Sequence, residues 1–153
     1  MIEPYTTVLN QFIGHLSKIG YGKLREFDCL TVFSNRKITI EISTEKYYQP
    51  NLMTGLIDGN GEKFAISIIR QVSSPDQFSK DCIALEAIKE RYRLNEVGID
   101  IDMRDEGNAA YLSLTLEQLL NFLSSYETEI LSGAYKPGYA ITEKAALKKI
   151  GIE

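Results

Sequence analysis

The amino-acid sequence predicts an α+β fold, in which an antiparallel sheet of about four to five strands packs with an N-terminal helix and two later amphipathic helices. Three observations lead to this class. A helical pattern of apolar residues comes first, several strand patterns with short connections follow it, and the strongest helical patterns come last. Short connections favour antiparallel neighbours, because a parallel pair needs a long crossover.

Apolar residues at helical spacing predict the first helix over residues 6–19. A threonine at position 6 or 7 can cap its start, and Gly20 can close its end. His15, the only histidine in the chain, lies between the apolar positions and is expected to be a partly exposed helix residue. A single histidine leaves little support for an ordinary zinc site or a Ser–His–Asp triad.

Strand patterns occupy the next part of the chain. The segment CLTVFSNRKITIEIS, residues 29–43, predicts two strands, because isoleucines alternate with polar residues in its second half. The segment LMTGLIDGNGEKFAISIIRQV, residues 52–72, predicts two more strands around a tight turn at residues 58–61. We therefore expect a four-stranded meander. Its second and third strands are linked by EKYYQPNL, residues 45–52, which places Tyr47 and Tyr48 in a loop.

Two amphipathic helices are predicted after the sheet. The first covers about residues 76–93 and follows the helix-start signal at residues 73–76. Residues 97–103 then alternate as in a fifth short strand or an extended loop, and residues 105–108 suit a turn. The segment LTLEQLLNFLSSYETEILSG, residues 114–133, is the strongest helical pattern, with a capping box at Thr115 and Gln118 and a terminal Gly133.

The last residues of the chain have a different sequence pattern. Residues 136–138, Lys-Pro-Gly, suit a turn or linker, and Thr142 can cap a short helix that continues to Ile150. A helix of this length is marginal alone and must dock. We therefore predict one α+β domain over residues 1–133, and a C-terminal extension over residues 134–153 whose short helix docks on it.

Negative charge is concentrated in the second half of the chain. Residues 76–132 hold five Lys/Arg and twelve Asp/Glu, whereas residues 1–75 hold eight and seven. The stretch GIDIDMRDEGN, residues 98–108, contains Asp100, Asp102, Asp105 and Glu106. This asymmetry argues against direct nucleic-acid binding, which needs a basic surface to neutralise phosphates. It permits a basic partner.

Catalytic and cofactor motifs are weak throughout. A calcium loop that starts at Asp100 fails, because its sixth position is Asp105 instead of glycine and its twelfth is Tyr111 instead of glutamate. A looser metal site that joins Asp100 and Asp102 to a distant carboxylate stays open. Cys29 and Cys82 are expected to be buried, reduced thiols, although a disulfide also stays open. We therefore predict no catalytic residue, no metal and no cofactor, and a protein that is not an enzyme.

The N-terminus lacks the features of a signal peptide, and no apolar run reaches the ~18 residues that span a membrane. These observations predict a cytoplasmic protein without membrane contact. Its oligomeric state is not predicted by the sequence.

The layout resembles that of small cytosolic immunity proteins from bacterial polymorphic-toxin and contact-dependent growth inhibition systems. The shared features are a short acidic domain, a first helix that ends in IGYG, a sheet of short strands, and the late helix LEQLLNFLSSYETEILSG. The resemblance implies a protein that binds a cognate toxin domain, for which a nuclease is one candidate, and occludes its basic active site.

The contacts expected from this resemblance are the four carboxylates of residues 100–106, with Tyr47 and Tyr48 as aromatic anchors. Charge reversal at Asp100 and Asp102 is then expected to slow association without changing the melting temperature. Two other classes stay open. One is a small enzyme or ligand-binding domain with a cleft between sheet and helices, and the other is an assembly subunit with an exposed apolar patch.

Overall fold

The structure, a computed structural model, describes residues 5–26, 30–35, 37–44 and 52–151. In these residues a five-stranded antiparallel sheet is preceded by one helix and followed by five. The elements in chain order are α1 Tyr5–Lys18, β1 Gly22–Glu26, β2 Leu30–Ser34, β3 Thr39–Thr44, β4 Leu52–Ile57, β5 Lys63–Ala65, α2 Ile66–Ser73, α3 Pro75–Arg91, α4 Ile101–Ser125, α5 Glu127–Ser132 and α6 Lys136–Lys149. The predicted α+β class, with its antiparallel sheet and N-terminal helix, is confirmed.

The sheet is a meander in which each strand pairs with the next along the chain. Its register aligns Phe33 with Ile40, Ile40 with Leu56, and Leu56 with Phe64. These four side chains form one buried row across four strands. The predicted alternation in β3 is confirmed, because its isoleucines are buried while its polar residues are only partly so. The first strand, β1, was not predicted, and all five of its residues are exposed.

The core lies between this row and the helices α1 and α4. Phe12 of α1 meets Phe33 edge to face, with ring centroids 6.5 Å apart. Further core residues from these two helices are Leu9, Leu16, Leu112, Leu116, Leu119, Phe122 and Leu123. Burial of one apolar side chain of this size contributes about 1.5–3 kcal/mol, so this layer is the main source of stability.

The predicted fourth strand ends much earlier than expected. It stops at Ala65, and the following residues form α2 instead of continuing the strand. Ile66 and Ile69 are three positions apart and both fully buried, so a helix places them on one face against the core. A short apolar run fits either period, and the tertiary packing decides between them.

The predicted fifth strand and the turn at residues 105–108 are wrong. The chain is irregular up to Asp100, and α4 then runs without a break through all of residues 101–125. The predicted capping box is also wrong, since Thr115 lies inside this helix and its Oγ1 donates to the carbonyl of Tyr111 at 2.9 Å. The terminal glycine is confirmed, because Gly133 has φ +75° and ends α5.

The C-terminal helix begins earlier than predicted. Residues 136–138 form its first turn instead of a linker, and Thr142 lies within the helix instead of capping it. Tyr135 and Tyr139 both meet the ring of Phe64 edge to face, with centroids 5.2 and 5.0 Å away. The Tyr139 hydroxyl also accepts a hydrogen bond from the Ala65 amide at 2.7 Å. The helix thus packs on β5 and α2 through its first two turns.

An ion pair adds to this docking and makes it depend on pH. Lys136 Nζ donates to Asp58 Oδ2 in the β4–β5 turn. The hydrogen bond from Lys136 lowers the pKa of Asp58 from its ordinary 3.8, and the same bond raises the pKa of Lys136 from 10.5. The stability from Asp58 is therefore complete above 3.8 and is lost as the pH falls through the lowered folded pKa.

We expect Lys136→Met to destabilise the protein at neutral pH, and the difference from wild type to shrink as the pH falls below about 4. Urea unfolding measured between pH 7 and pH 3 checks this expectation. The acid side is the cleaner measurement, because tyrosines also ionise on the alkaline side. Lys149→Met is the control, since Lys149 is exposed at the end of the same helix. A wild-type advantage that stays constant down to pH 3 contradicts the role of this pair.

Candidate functional site

The connection from α3 to α4 forms an acidic corner, which we define as residues 96–106. Arg93 turns the chain with φ +56° and forms an ion pair with Glu96. Arg104 Nη2 donates to the Glu96 carbonyl at 3.2 Å. These two interactions hold the loop against the start of α4.

The four predicted carboxylates all lie in this corner, but their roles differ. Asp100 is the N-cap of α4, and its Oδ1 accepts hydrogen bonds from the amides of Asp102 and Met103 at 2.8 and 3.3 Å. Asp102, Asp105 and Glu106 are exposed on the first two turns. The cap gives a reason to expect a lower melting temperature when the charge of Asp100 is reversed, because loss of such a cap costs about 0.5–2 kcal/mol.

No ion pair joins these carboxylates to a cation in the described part of the chain. Asp102 and Glu106 are four positions apart on the helix surface, where like charges repel. The nearest cation in sequence, Arg104, is turned toward a backbone carbonyl instead. The local charge is thus left available to another molecule.

Two exposed apolar side chains lie in the same acidic corner. Val97 is 100% exposed and Ile101 is 71% exposed. Ile101 lies one turn before Asp105, so an apolar side chain and a carboxylate share one helix face. Exposed apolar residues beside charged ones have the composition of a binding surface, in which an apolar centre is surrounded by a polar rim.

Some predicted residues fall elsewhere. Tyr47 and Tyr48, the expected aromatic anchors, lie outside the described residues, as does Cys29. Cys82 is exposed, so the expectation that it is buried is wrong. Its partial burial still raises the pKa of the thiol, with a smaller opposing effect from Arg70. His15 is an exposed residue of α1.

A polar cleft of about 420 Å³, between α2, α3 and α4, was missed by the sequence reading. Its centre is Arg70, whose Nη2 donates to Asp81 Oδ2. Gln77 Nε2 donates to the other carboxylate oxygen of Asp81 at 2.8 Å, and Gln118 Nε2 donates to the Asp81 carbonyl at 3.1 Å. The Arg70–Asp81 ion pair therefore joins α2 to α3, and the Gln118 hydrogen bond joins α4 to α3.

Arg70 is buried to a degree that is rare for its type, at 9% exposure. Its guanidinium lies 5.2 Å from the ring centre of Phe78 and 5.8 Å from that of Phe122. Its Nε is buried and has no hydrogen-bond partner within the described residues. The only sequence signal for this arrangement was a charged residue inside the apolar run of α2.

A second groove of about 390 Å³ lies between α1 and α4. His15 and Gln11 line it from α1, and Glu117 and Asn121 line it from α4. Ser113 also lines this groove, so a serine, a histidine and a carboxylate share it. No hydrogen bond joins these three side chains within the described residues, whereas a catalytic triad needs such bonds between its members.

Fold and surface together define an α+β domain with an exposed acidic corner and a separate polar cleft. Across residues 5–151, apart from the gaps given above, no group of three or more His, Cys, Asp or Glu side chains is arranged to hold a metal ion. In the same residues, no helix has the length and apolar content needed to span a bilayer. Comparison with protein-family models, curated proteins and solved structures finds no match to this chain.

Proposed function

We propose that this protein binds a basic protein through its acidic corner and acts by occupying that partner's surface, without turning over a substrate. The observation that carries the proposal is the pair of exposed apolar residues, Val97 and Ile101, beside the three carboxylates on the first two turns of α4, which form no ion pair within the described residues. The apolar side chains supply buried area in a complex, and the carboxylates supply attraction.

The energetics of the free protein support this reading. Like charges one helical turn apart destabilise a helix by about 0.2–0.5 kcal/mol, and exposed apolar side chains bring no folding energy. Repelling charges and exposed apolar side chains are both expected of a surface that is covered in a complex. The same carboxylates attract a positively charged partner over a distance of about 8 Å at physiological salt and raise the rate of encounter.

The narrower proposal is an immunity-type protein of the cytoplasm that neutralises a cognate bacterial toxin domain. A nuclease is one suitable partner, because a site that holds phosphates is positively charged. An acidic protein surface competes directly with such a substrate. Occlusion of this kind needs no metal, cofactor or catalytic group in the inhibitor.

The test uses the double variant Asp105→Lys/Glu106→Lys, because both residues are exposed and neither caps the helix. The partner for the measurement is the basic protein that co-purifies with the wild-type chain from its source cells, and recovery of no such protein counts against the proposal. We expect the association rate at low salt to fall at least roughly tenfold, as expected when attraction becomes repulsion at a charged interface. Surface plasmon resonance at several salt concentrations measures this rate.

The matched control is Glu117→Lys/Glu129→Lys, which changes the net charge equally at two exposed positions outside the corner. Its association rate should change much less, and both variants should keep the wild-type circular dichroism spectrum. Equal decreases of the association rate in the two variants show that the effect comes from net charge alone. No loss in the corner variant removes this surface from the proposal.

A small-ligand-binding domain is the second candidate, and the polar cleft favours it. Arg70, Gln77 and Gln118 line one space between helices, and Arg70 Nε is buried there without a hydrogen-bond partner within the described residues. Binding sites for small molecules likewise combine a concave space with a few polar groups. Native mass spectrometry of the protein purified from its source cells tests this candidate. A bound small molecule that is lost in Gln77→Ala supports it, and a mass equal to the bare chain counts against it.

A further inference from the structure

The last turns of α6 form a second exposed surface whose chemistry is the opposite of the acidic corner. Ile141 is 75% exposed, and Lys144 and Lys148 are exposed beside it. These positions follow the spacing i, i+3 and i+7, so they lie on one stripe of the helix. We name these three residues the basic stripe.

The basic stripe and the acidic corner have complementary compositions. In the corner, Ile101 is followed by Asp105 one turn later, with Asp102 and Glu106 alongside. In the stripe, Ile141 is followed by Lys144 and Lys148. Each surface thus presents one isoleucine next to a row of charges, and the two rows have opposite signs.

We propose that the basic stripe of one copy docks on the acidic corner of a second copy. Two such contacts related by a two-fold axis form a closed dimer, in which each α6 covers the corner of its partner. Each contact buries two isoleucines and pairs lysines with carboxylates. The consequence for regulation rests on the proposed function, since a corner covered by another copy cannot bind the basic protein.

An anionic membrane is the other surface that lysines on a helix suggest, and α6 fits it poorly. Leu147 is six positions after Ile141, which turns it by about 120° around the helix axis. The exposed apolar residues of α6 are therefore spread around it and do not form the continuous apolar face that lies in a lipid interface. An opposing helix with interspersed charges suits this mixture better.

The test uses two variants with opposite defects. Asp105→Lys/Glu106→Lys makes the corner basic, and Lys144→Glu/Lys148→Glu makes the stripe acidic. Each variant alone faces like charges and should associate at least roughly tenfold more weakly than wild type, because attraction between exposed charges is replaced by repulsion. An equimolar mixture of the two variants should associate again, because both of its contacts join opposite charges.

Sedimentation velocity over a range of protein concentrations measures these states. A wild-type protein that stays monomeric at all concentrations overturns the inference, as does a mixture that associates no better than its components. Binding of wild type to phosphatidylserine vesicles that is lost in Lys144→Glu/Lys148→Glu, without dimerisation, also overturns it.

Measuring partner binding distinguishes a failure of this inference from a failure of the proposed function. Lys144→Glu/Lys148→Glu leaves the corner intact, so it should bind the basic partner as fast as wild type or faster. If that variant binds normally and no dimer exists, only the present inference fails. If dimers form but Asp105→Lys/Glu106→Lys still binds the partner normally, the proposed function fails instead.

Discussion

Arg70→Met is expected to lower the free energy of unfolding by about 3–5 kcal/mol, because it leaves the Asp81 carboxylate nearly buried without its cation. The Asp81 side chain is only 15% exposed. The substitution also removes a guanidinium that lies 5.2 Å from the ring centre of Phe78 and 5.8 Å from that of Phe122. Urea unfolding followed by circular dichroism at pH 7 measures the loss.

A double-mutant cycle separates the ion pair from the packing. Arg70→Met/Asp81→Leu should regain a large part of the stability lost by Arg70→Met alone, because an apolar pair of similar volume needs no compensating charge. A double variant that is less stable than either single variant contradicts this account. If Arg70→Met alone lowers the free energy of unfolding by less than about 1 kcal/mol, the pair is exposed to solvent. That result also contradicts this account.

Gly107→Ala should destabilise the protein by about 1–3 kcal/mol, although alanine is the better helix former. Gly107 lies inside α4, and a Cβ there meets Tyr92 Cβ at 2.6 Å and Leu94 Cδ2 at 2.8 Å. The close approach of the loop after α3 requires a residue without a side chain at this position. The expected structural consequence is that the loop after α3, and the acidic corner with it, is displaced.

Gly14→Ala is the matched control, since Gly14 lies in α1 with nothing within 4 Å of its added Cβ. This substitution should stabilise the protein by about 0.5–1 kcal/mol through helix propensity alone. Thermal unfolding of both variants gives the comparison. A gain at Gly107 similar to that at Gly14 shows that the loop can move away at little cost.

The sequence was sufficient to predict the helices and strands whose apolar residues repeat with a clear period. The stripe of α1, the alternation of Ile38, Ile40 and Ile42, and the turn at residues 58–61 are all local patterns. Each depends on burial of one face, which repeats along the chain with the period of the element. The helix after Pro75 was predicted for the same reason, with proline in its first turn.

The candidate site could be predicted only in part. The concentration of carboxylates was visible, because charge is a property of composition. The cap made by Asp100 and the exposure of Val97 and Ile101 were not, since an alternating apolar pattern at residues 97–103 suits a strand as well as a loop and helix start. The partner of Arg70, eleven positions away on another helix, leaves no local signal.

The sequence by itself determined the α+β class, the antiparallel sheet, the first helix and the acidic character of the second half. Only the tertiary structure decided that residues 66–73 are helical, that Gly107 lies within a helix, and that β1 is a strand at all. The physical reason is that local patterns record which side chains avoid water. They do not record which neighbours cover them, and the ambiguous segments take the conformation that those neighbours allow.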